Sequence, residues 1–241
     1  MNSDNRLFDN NNQLNQLNNT QNRLISIISH DFKAPLSAFY SISTSLKKKF
    51  EKLSKEEINS YFNRMMNASI SLKMLLENLL NWTINKSGDI KLNPREINLS
   101  VTAYKTIIVL QEFALEKNIK IENHIDENIN LTTDSRMLRI VLNNLISNAV
   151  KFSPNNSNIV VKGQKSDKKT IITVQDFGIG MTPEQRENLF SDNKSEKNET
   201  IEDNKGTGLG LIVCKEIVDK LGGKIWAEST NGKGTEFFIQ F

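Results

Sequence analysis

His30 stands first among the residues of this chain whose types and spacing could support chemistry. It lies beside Asp31 within a long helical pattern, and Pro35 follows five residues later. A neutral imidazole nitrogen can attack an electrophile near neutral pH. The adjacent carboxylate can hold the other ring nitrogen as N–H and stabilise the positive charge that develops. His30 is therefore a candidate nucleophile with Asp31 as its partner, and a solvated histidine on a helix is the alternative interpretation.

A second group of polar residues lies more than a hundred positions downstream. Asn144 and Asn148 are four residues apart and share one face of a strongly helical segment. Their amide oxygens suit Mg²⁺, either directly or through its bound waters. Lys151 and Phe152 follow within one turn and add a cation and an aromatic ring. A solvated asparagine pair on a surface helix remains the alternative.

Two glycine-rich segments complete the set. The run Asp176-Phe177-Gly178-Ile179-Gly180 follows a β-patterned stretch, its glycines allow close backbone approach, and its carboxylate can accept a hydrogen bond from an exocyclic amine. The run Gly206-Thr207-Gly208-Leu209-Gly210 leads into a helix, whose N-terminus favours phosphate. The second run is neither a dinucleotide nor a Walker A fingerprint. An ordinary turn is the alternative for each run. The polar segment Ser191–Lys205 is a candidate lid.

Composition narrows the class of protein. The 241 residues are 37% hydrophobic and 24% charged, with a formal charge of +3, too small to indicate nucleic-acid binding. A single cysteine, Cys214, excludes an intrachain disulfide and a zinc cluster. No apolar run approaches the roughly 18 residues of a membrane span, and no signal-peptide pattern is present. We expect a cytoplasmic protein, or the cytoplasmic part of a longer one.

The elements that must position these residues begin with a helical hairpin. Heptad-like spacing predicts a helix from Leu14 to about Phe50, with a kink or loosened turn at Pro35 beside the candidate nucleophile. A second helix follows over Ser54–Thr83, with Ser54 as N-cap and Glu57 as its capping-box partner. Two helices alone cannot bury both apolar stripes well. We therefore expect dimerisation into a four-helix bundle.

Polar and helix-breaking residues place a domain boundary near Lys86–Pro94. We predict a linker start at residues 1–13, a helical domain at 14–86 and a domain of mixed helices and strands at 95–241, which makes the chain α+β. Its predicted strands are Glu96–Leu99, Lys120–Ile125, Ile129–Thr133, Ile159–Gln164, Thr170–Asp176, Lys224–Ser229 and Thr235–Phe241. Its predicted helices are Val101–Glu116, Ser135–Phe152 and Leu211–Leu221.

The order and spacing of these motifs resemble the catalytic core of a bacterial sensor histidine kinase over about residues 14–241. His30–Pro35 is similar to the H box of that family, Asn144–Phe152 to its N box, Asp176–Gly180 and Gly206–Gly210 to its two glycine boxes, Phe190 to its F box, and Gly234–Phe237 to its closing strand motif. The resemblance implies a homodimeric phosphotransfer hairpin followed by a Bergerat-type ATP-binding α/β sandwich.

The resemblance also implies an activity and residue roles. His30 would be phosphorylated by ATP with Mg²⁺, and the phosphate would pass to an aspartate on the receiver domain of a response regulator, with Asp31 as base partner. Asn148 would hold Mg²⁺ with Asn144 assisting near it, and Lys151 would reach the phosphates. Asp176 would bind the adenine amino group with Thr235 nearby. Such phosphoryl transfer depends on positioning and charge neutralisation.

One position departs from the family pattern. The residue four after the histidine is often threonine or asparagine in this family, where it positions the water that dephosphorylates the regulator, and here it is Ala34. We therefore expect weak phosphatase activity. The main alternative function is a non-catalytic ATP-binding scaffold or pseudokinase, which the intact His30, Asn148 and Asp176 argue against. An ATP-driven clamp related to chaperones and topoisomerases is less consistent with a histidine-bearing hairpin before the ATP domain.

Overall fold

The computed structural model describes residues 32–86, 92–166, 169–190 and 209–241, with the backbone alone at positions 74, 77–86 and 209. The chain divides into two compact units, Met1–Leu79 and Leu80–Phe241. The domain bounds that the sequence predicts, 14–86 and 95–241, stay a prediction. The linker at 1–13 and the predicted first helix before residue 32 lie outside the described residues.

The first unit contains one helix and most of a second, joined by a short turn. Residues 32–49 form α1, a single 3-10 turn covers Phe50–Lys52, and α2 covers Lys55–Lys86. The predicted capping box at the start of α2 is confirmed. The Ser54 N–H donates to Glu57 Oε2 (2.8 Å), and the Glu57 N–H donates to Ser54 Oγ (3.1 Å). Helix α1 continues through Pro35 without interruption, while the turn beside His30 lies outside the described residues.

The two helices pack side by side along part of their apolar surface. Ile42 and Leu46 of α1 and Ala68 of α2 are buried, and the hydroxyls of Ser45 and Tyr61 lie 3.4 Å apart across the pair. Other large apolar side chains of the two helices remain exposed: Leu36, Tyr40, Phe62, Met66 and Leu76. A single hairpin thus leaves apolar surface in water, as the sequence pattern predicts for two helices on their own.

The second unit combines two sheets with four helices among its described residues. The strands are β1 (Arg95–Asn98), β2 (Lys120–Ile125), β3 (Asn130–Thr133), β4 (Asn158–Ser166), β5 (Lys169–Asp176), β6 (Lys224–Thr230) and β7 (Gly234–Gln240). The helices are α3 (Leu99–Leu115), α4 (Ser135–Phe152), α5 (Pro183–Glu187) and α6 (Leu209–Lys220). The prediction of a mixed α+β chain is therefore confirmed.

The larger sheet has five strands in the order β2-β4-β5-β7-β6, and β1 pairs with β3 in a separate antiparallel ribbon. Within the larger sheet β2 runs parallel to β4, and the other neighbours are antiparallel. Alternate residues of β5 are buried, from Thr170 to Asp176, because α3, α4 and α6 pack against one face of the sheet. On the other face Trp226 stacks on Phe238, with ring centroids 5.1 Å apart.

Helix α4 has the bounds that the sequence predicts. Asp134 precedes it as N-cap, and its Oδ1 accepts the backbone N–H groups of Arg136 (2.9 Å) and Met137 (3.2 Å). Leu138, Leu142 and other apolar residues on one face of α4 are fully buried against the sheet and neighbouring helices. This burial fixes the direction in which the polar residues of the helix can point.

Three helices differ from the prediction. Helix α3 begins at Leu99, two residues before the predicted Val101. Helix α5 is absent from the predicted elements because it spans only five residues, although Thr182 and Gln185 form a complete capping box around Pro183. Helix α6 begins at Leu209, two residues before the predicted start. No helix in the described ranges has both the length and the apolar character required for a membrane crossing.

Candidate functional site

The carboxylate of Asp176 lies at the end of β5 and is only 5% exposed. Its Oδ1 accepts the backbone N–H of Gly178 (2.9 Å) and that of Thr235 on the neighbouring strand β7 (3.2 Å). Burial raises the pKa of Asp176, and these two hydrogen bonds oppose the rise. Both end on Oδ1, and within the described part of the chain no hydrogen bond ends on Oδ2. That oxygen is the one available to an amine on a ligand.

The glycines of the 176–180 turn allow close backbone contacts. A Cβ at Gly178 would collide with the carbonyl oxygen of Phe152, which ends α4, and the same oxygen accepts the N–H of Ile179 (3.3 Å). Gly180 has φ +65°, and a Cβ there would collide with the carbonyl of Thr230. The turn thus lies in close contact with both the end of α4 and the β6–β7 hairpin. A side chain at either glycine would displace the turn.

The remaining α4 residues lie on the turns before this contact. Asn144 is buried and donates from Nδ2 to the Ile140 carbonyl (3.1 Å). Asn148 is partly exposed, and its side chain makes no hydrogen bond to another described residue. The Lys151 ammonium lies 5.3 Å from the ring centroid of Phe152. The structure therefore places Phe152, at the end of α4, against the turn that holds Asp176 and Gly178. Asn148 and Lys151 lie on α4 within two turns of Phe152.

The side chains of α4 can be compared with the coordination that Mg²⁺ requires. Mg²⁺ takes six oxygen ligands and usually keeps waters and substrate phosphates among them. Asn148 is partly exposed, and its amide oxygen could serve as a single protein ligand to such an ion. Across the described residues no group of three or more histidine, cysteine or acidic side chains is placed to hold a metal. A Mg²⁺ bound here would therefore take most of its other ligands from phosphate and water.

Several predicted site residues cannot be placed. His30 and Asp31 lie outside the described residues, as do Gly206, Thr207 and Gly208 and the candidate lid. Leu209 begins α6, and Gly210 is its second residue. Helix α6 packs on α4 through Cys214, whose buried thiol faces the Val141 carbonyl at 3.8 Å. Cys214 is thus a buried residue of the α4–α6 contact, and burial raises the pKa of its thiol.

Lys117 has a role that sequence reasoning missed. Its half-buried ammonium donates to the carbonyl oxygens of Val150 (3.0 Å), Lys151 (2.8 Å) and Ser153 (3.0 Å) at the C-terminal end of α4. A cation there satisfies carbonyls that have no partner within the helix and interacts favourably with the helix dipole. Nothing in the local sequence distinguishes Lys117 from a solvated loop lysine, because its partners lie more than 30 residues away.

Ser229 on β6 is a second residue that the sequence patterns did not single out. It pairs in register with Thr235, which in turn pairs with Asp176, so the three residues form one row across β6, β7 and β5. The Ser229 hydroxyl also accepts the backbone N–H of Met181, just beyond the glycine turn (2.8 Å). The alternation of the strands could have placed these residues on one face, but the register that aligns them comes only from the structure.

The raised pKa of Asp176 predicts a pH-dependent stability. An acid whose pKa is raised in the fold contributes stability below its unfolded value of 3.8 and loses it as pH rises through the folded pKa. An Asp176→Asn variant keeps the Oδ1 acceptor but cannot ionise. Its free energy of unfolding should therefore rise relative to the unsubstituted chain between pH 3.5 and pH 7.5, measured by urea unfolding.

The matched control is Asp219→Asn on α6, an exposed carboxylate that pairs with Lys215. It should lower stability by only a few tenths of a kcal/mol at pH 7.5, because exposed pairs contribute about 0–1 kcal/mol. A stability difference for Asp176→Asn that does not change with pH would contradict the effect assigned to burial.

Sequence comparisons show which known proteins this chain is similar to. Residues 133–241 match the family described as histidine kinase-, DNA gyrase B-, and HSP90-like ATPase. The adaptive-response sensory kinase SasA of Prochlorococcus marinus strain AS9601 is 30% identical over 220 residues, which cover 90% of this chain and 57% of SasA. The sensor protein GacS of Pseudomonas syringae pv. syringae is 27% identical over 226 residues, covering 91% of this chain and 24% of GacS. The chain thus spans little more than half the length of SasA.

Solved structures show the same fold. The catalytic domain of histidine kinase ThkA is 25% identical, with a TM-score of 0.53, and the match covers 62% of this chain and 95% of that domain. ThkA in complex with the response regulator protein TrrA matches 97% of this chain and 65% of the ThkA chain, with a TM-score of 0.64 and 20% identity. This chain is therefore related to the sensor histidine kinases, and its residues 133–241 belong to the histidine kinase-, DNA gyrase B-, and HSP90-like ATPases.

Proposed function

We propose that the chain is the catalytic core of a cytoplasmic sensor histidine kinase. It uses ATP and Mg²⁺ to phosphorylate His30 and then passes the phosphate to an aspartate on the receiver domain of a response regulator. The observation that carries the proposal is the buried carboxylate of Asp176, with Oδ1 satisfied by backbone and Oδ2 left for an amine. A desolvated acceptor of this kind gains most from a donor supplied by a ligand.

The proposed nucleotide site extends from this carboxylate along α4. The adenine amino group donates to Asp176 beside Thr235, and the glycine turn at Gly178 and Gly180 lets the base approach the backbone. Asn148 would hold Mg²⁺ with Asn144 near it, and the bound ion would supply positive charge to the phosphates. Lys151 supplies a cation to the phosphates from the last turn of α4, which Lys117 and the 176–180 turn hold in place. Phe152 and the run Gly206–Gly210 complete the proposed set.

The proposed reaction is an in-line phosphoryl transfer. A ring nitrogen of His30 attacks the γ-phosphorus of ATP, an N–P bond forms, and the bond to the β–γ bridging oxygen breaks to release ADP. Asp31 accepts a hydrogen bond from the other ring nitrogen and stabilises the imidazolium charge as it develops. A second transfer then moves the phosphoryl group from His30 to a carboxylate oxygen on the regulator.

We propose a homodimer whose helical hairpins form a four-helix bundle, with residues 14–86 as the phosphotransfer domain and 95–241 as the ATP-binding domain. The exposed side chains Leu36 and Tyr40 of α1 and Phe62 and Met66 of α2 support it, because a second hairpin would remove them from water. A structure of the same fold holds ThkA together with a response regulator, which supports a receiver domain as the partner.

Loss of the nucleophile is the direct test of this function. The chain contains two histidines, so His30→Gln has a natural control in His124→Gln, an exposed residue paired with Glu122 on β2. With γ-labelled ATP and Mg²⁺, the unsubstituted chain and the His124 variant should acquire acid-labile label, and the His30 variant should acquire none. The difference follows because only His30 carries the proposed N–P bond.

Two outcomes would contradict the kinase function. Acid-stable label, or label that persists in His30→Gln, would place the phosphate on another residue. Measurable ATP binding without any label, in the presence of a receiver domain as well, would favour the non-catalytic scaffold.

We further propose that the phosphatase activity is weak because Ala34 offers no polar group to a water. Ala34 lies exposed on α1, one helical turn from His30 in sequence. An Ala34→Thr variant should speed the loss of phosphate from a receiver domain phosphorylated with acetyl phosphate by about tenfold, since a hydroxyl can position the attacking water. The control is Ala38→Thr, the same exposed substitution one turn further along α1. Rapid dephosphorylation by the unsubstituted chain would overturn this assignment.

A further inference from the structure

Ser229 lies at the edge of the proposed adenine site without belonging to it by sequence motif. It is on β6 opposite Thr235 of β7, and Thr235 is opposite Asp176 of β5. Strand alternation places all three side chains on the face of the sheet that the helices cover. Asp176 and Thr235 are buried, at 5% and 7% exposure.

The hydrogen bonds of Ser229 can be assigned in direction. A serine hydroxyl has one hydrogen and two acceptor lone pairs. The N–H of Met181 donates to Ser229 Oγ (2.8 Å), and Ser229 Oγ donates its hydrogen to the Gly234 carbonyl (2.8 Å), which can only accept. Ser229 therefore has no hydrogen left for Thr235, whose Oγ1 lies 3.0 Å away. In that contact Thr235 must donate.

This direction fixes what Thr235 can offer to a ligand. Its only side-chain hydrogen points to Ser229, so its oxygen can accept a further hydrogen bond but cannot donate one. Beside it, Asp176 also presents an acceptor, because its backbone donors both end on Oδ1. The pair thus shows acceptors alone to a bound base. An exocyclic amine on the base can donate to both Asp176 and Thr235. A carbonyl oxygen at the same position would instead face these two acceptors, and no hydrogen bond would form.

We propose that Ser229 is a positioning residue that orients the Thr235 hydroxyl and so makes the site select adenine over guanine nucleotides. The proposal rests on the proposed nucleotide-binding function of Asp176 and Thr235. Ser229 itself does not touch the base. Ser229 acts by accepting the hydrogen of the Thr235 hydroxyl. Without Ser229 that hydroxyl can rotate and donate to a carbonyl group on the base.

The test compares binding of ADP and GDP to the full chain by calorimetry. The unsubstituted chain should bind ADP more tightly than GDP, and in Ser229→Ala the ratio of the two affinities should fall about tenfold, the effect of one hydrogen bond of ordinary strength. Ser229→Thr keeps a hydroxyl and should restore most of the ratio. Thr230→Ala removes a hydroxyl from the adjacent exposed position and should leave the ratio unchanged.

A double-mutant cycle separates orientation from a general structural role, since Ser229 also holds Met181. Thr235→Val leaves that hydrogen bond in place and should itself lower the ratio. In the Thr235→Val background, Ser229→Ala should change the ratio no further. The Thr235→Val measurement stands by itself should Ser229→Ala fail to fold, because a full ADP preference without the Thr235 hydroxyl would overturn the proposal.

The remaining outcomes are distinct. Equal weakening of ADP and GDP in Ser229→Ala would show a purely structural residue and overturn the inference while the proposed function stands. Equal binding of the two nucleotides by the unsubstituted chain would overturn it as well. Binding of neither nucleotide would contradict the proposed function itself and the inference with it.

Discussion

The arrangement of the second unit depends on the contacts that the carbonyl oxygen of Phe152 makes. This oxygen ends α4, accepts the N–H of Ile179 and lies so close to Gly178 that no side chain fits between them. A helix C-terminus normally leaves carbonyl groups without partners, and here the glycine turn takes one while Lys117 takes three others. The helix that carries Asn144, Asn148 and Lys151 is thereby fixed to the turn that begins at Asp176.

The contact between α4 and the glycine turn holds Asp176 in a buried position, although burial disfavours the charged form of its carboxyl group. Burial raises the pKa of Asp176, so the charged form costs free energy in the fold at neutral pH. Two backbone N–H groups recover part of that cost through Oδ1, and the other oxygen is left for a ligand. A site that is incomplete in the protein alone binds the group that completes it. The fold is thus less stable because Asp176 is kept buried and available for a ligand, and such a loss of stability is common at functional sites.

Much of this arrangement could be predicted from the sequence, because it follows from local patterns. Helix α4 has the predicted bounds, since Asp134 caps an apolar stripe of regular period, and the capping box of Ser54 marks the start of α2. The β1–β3 ribbon and the row of Asp176, Thr235 and Ser229 could not be predicted. They depend on register between residues as far as 59 positions apart, which hydrophobic period alone does not specify.

The central claim is that the Asp176 end of β5 holds the adenine of ATP. A crystal structure of the full chain with bound ADP tests it most directly. The account predicts the adenine amino nitrogen within hydrogen-bond distance of Asp176 Oδ2, with Thr235 Oγ1 as a neighbouring acceptor and the 176–180 turn still in contact with Phe152. A nucleotide bound elsewhere, or an adenine turned away from Asp176, would contradict the account.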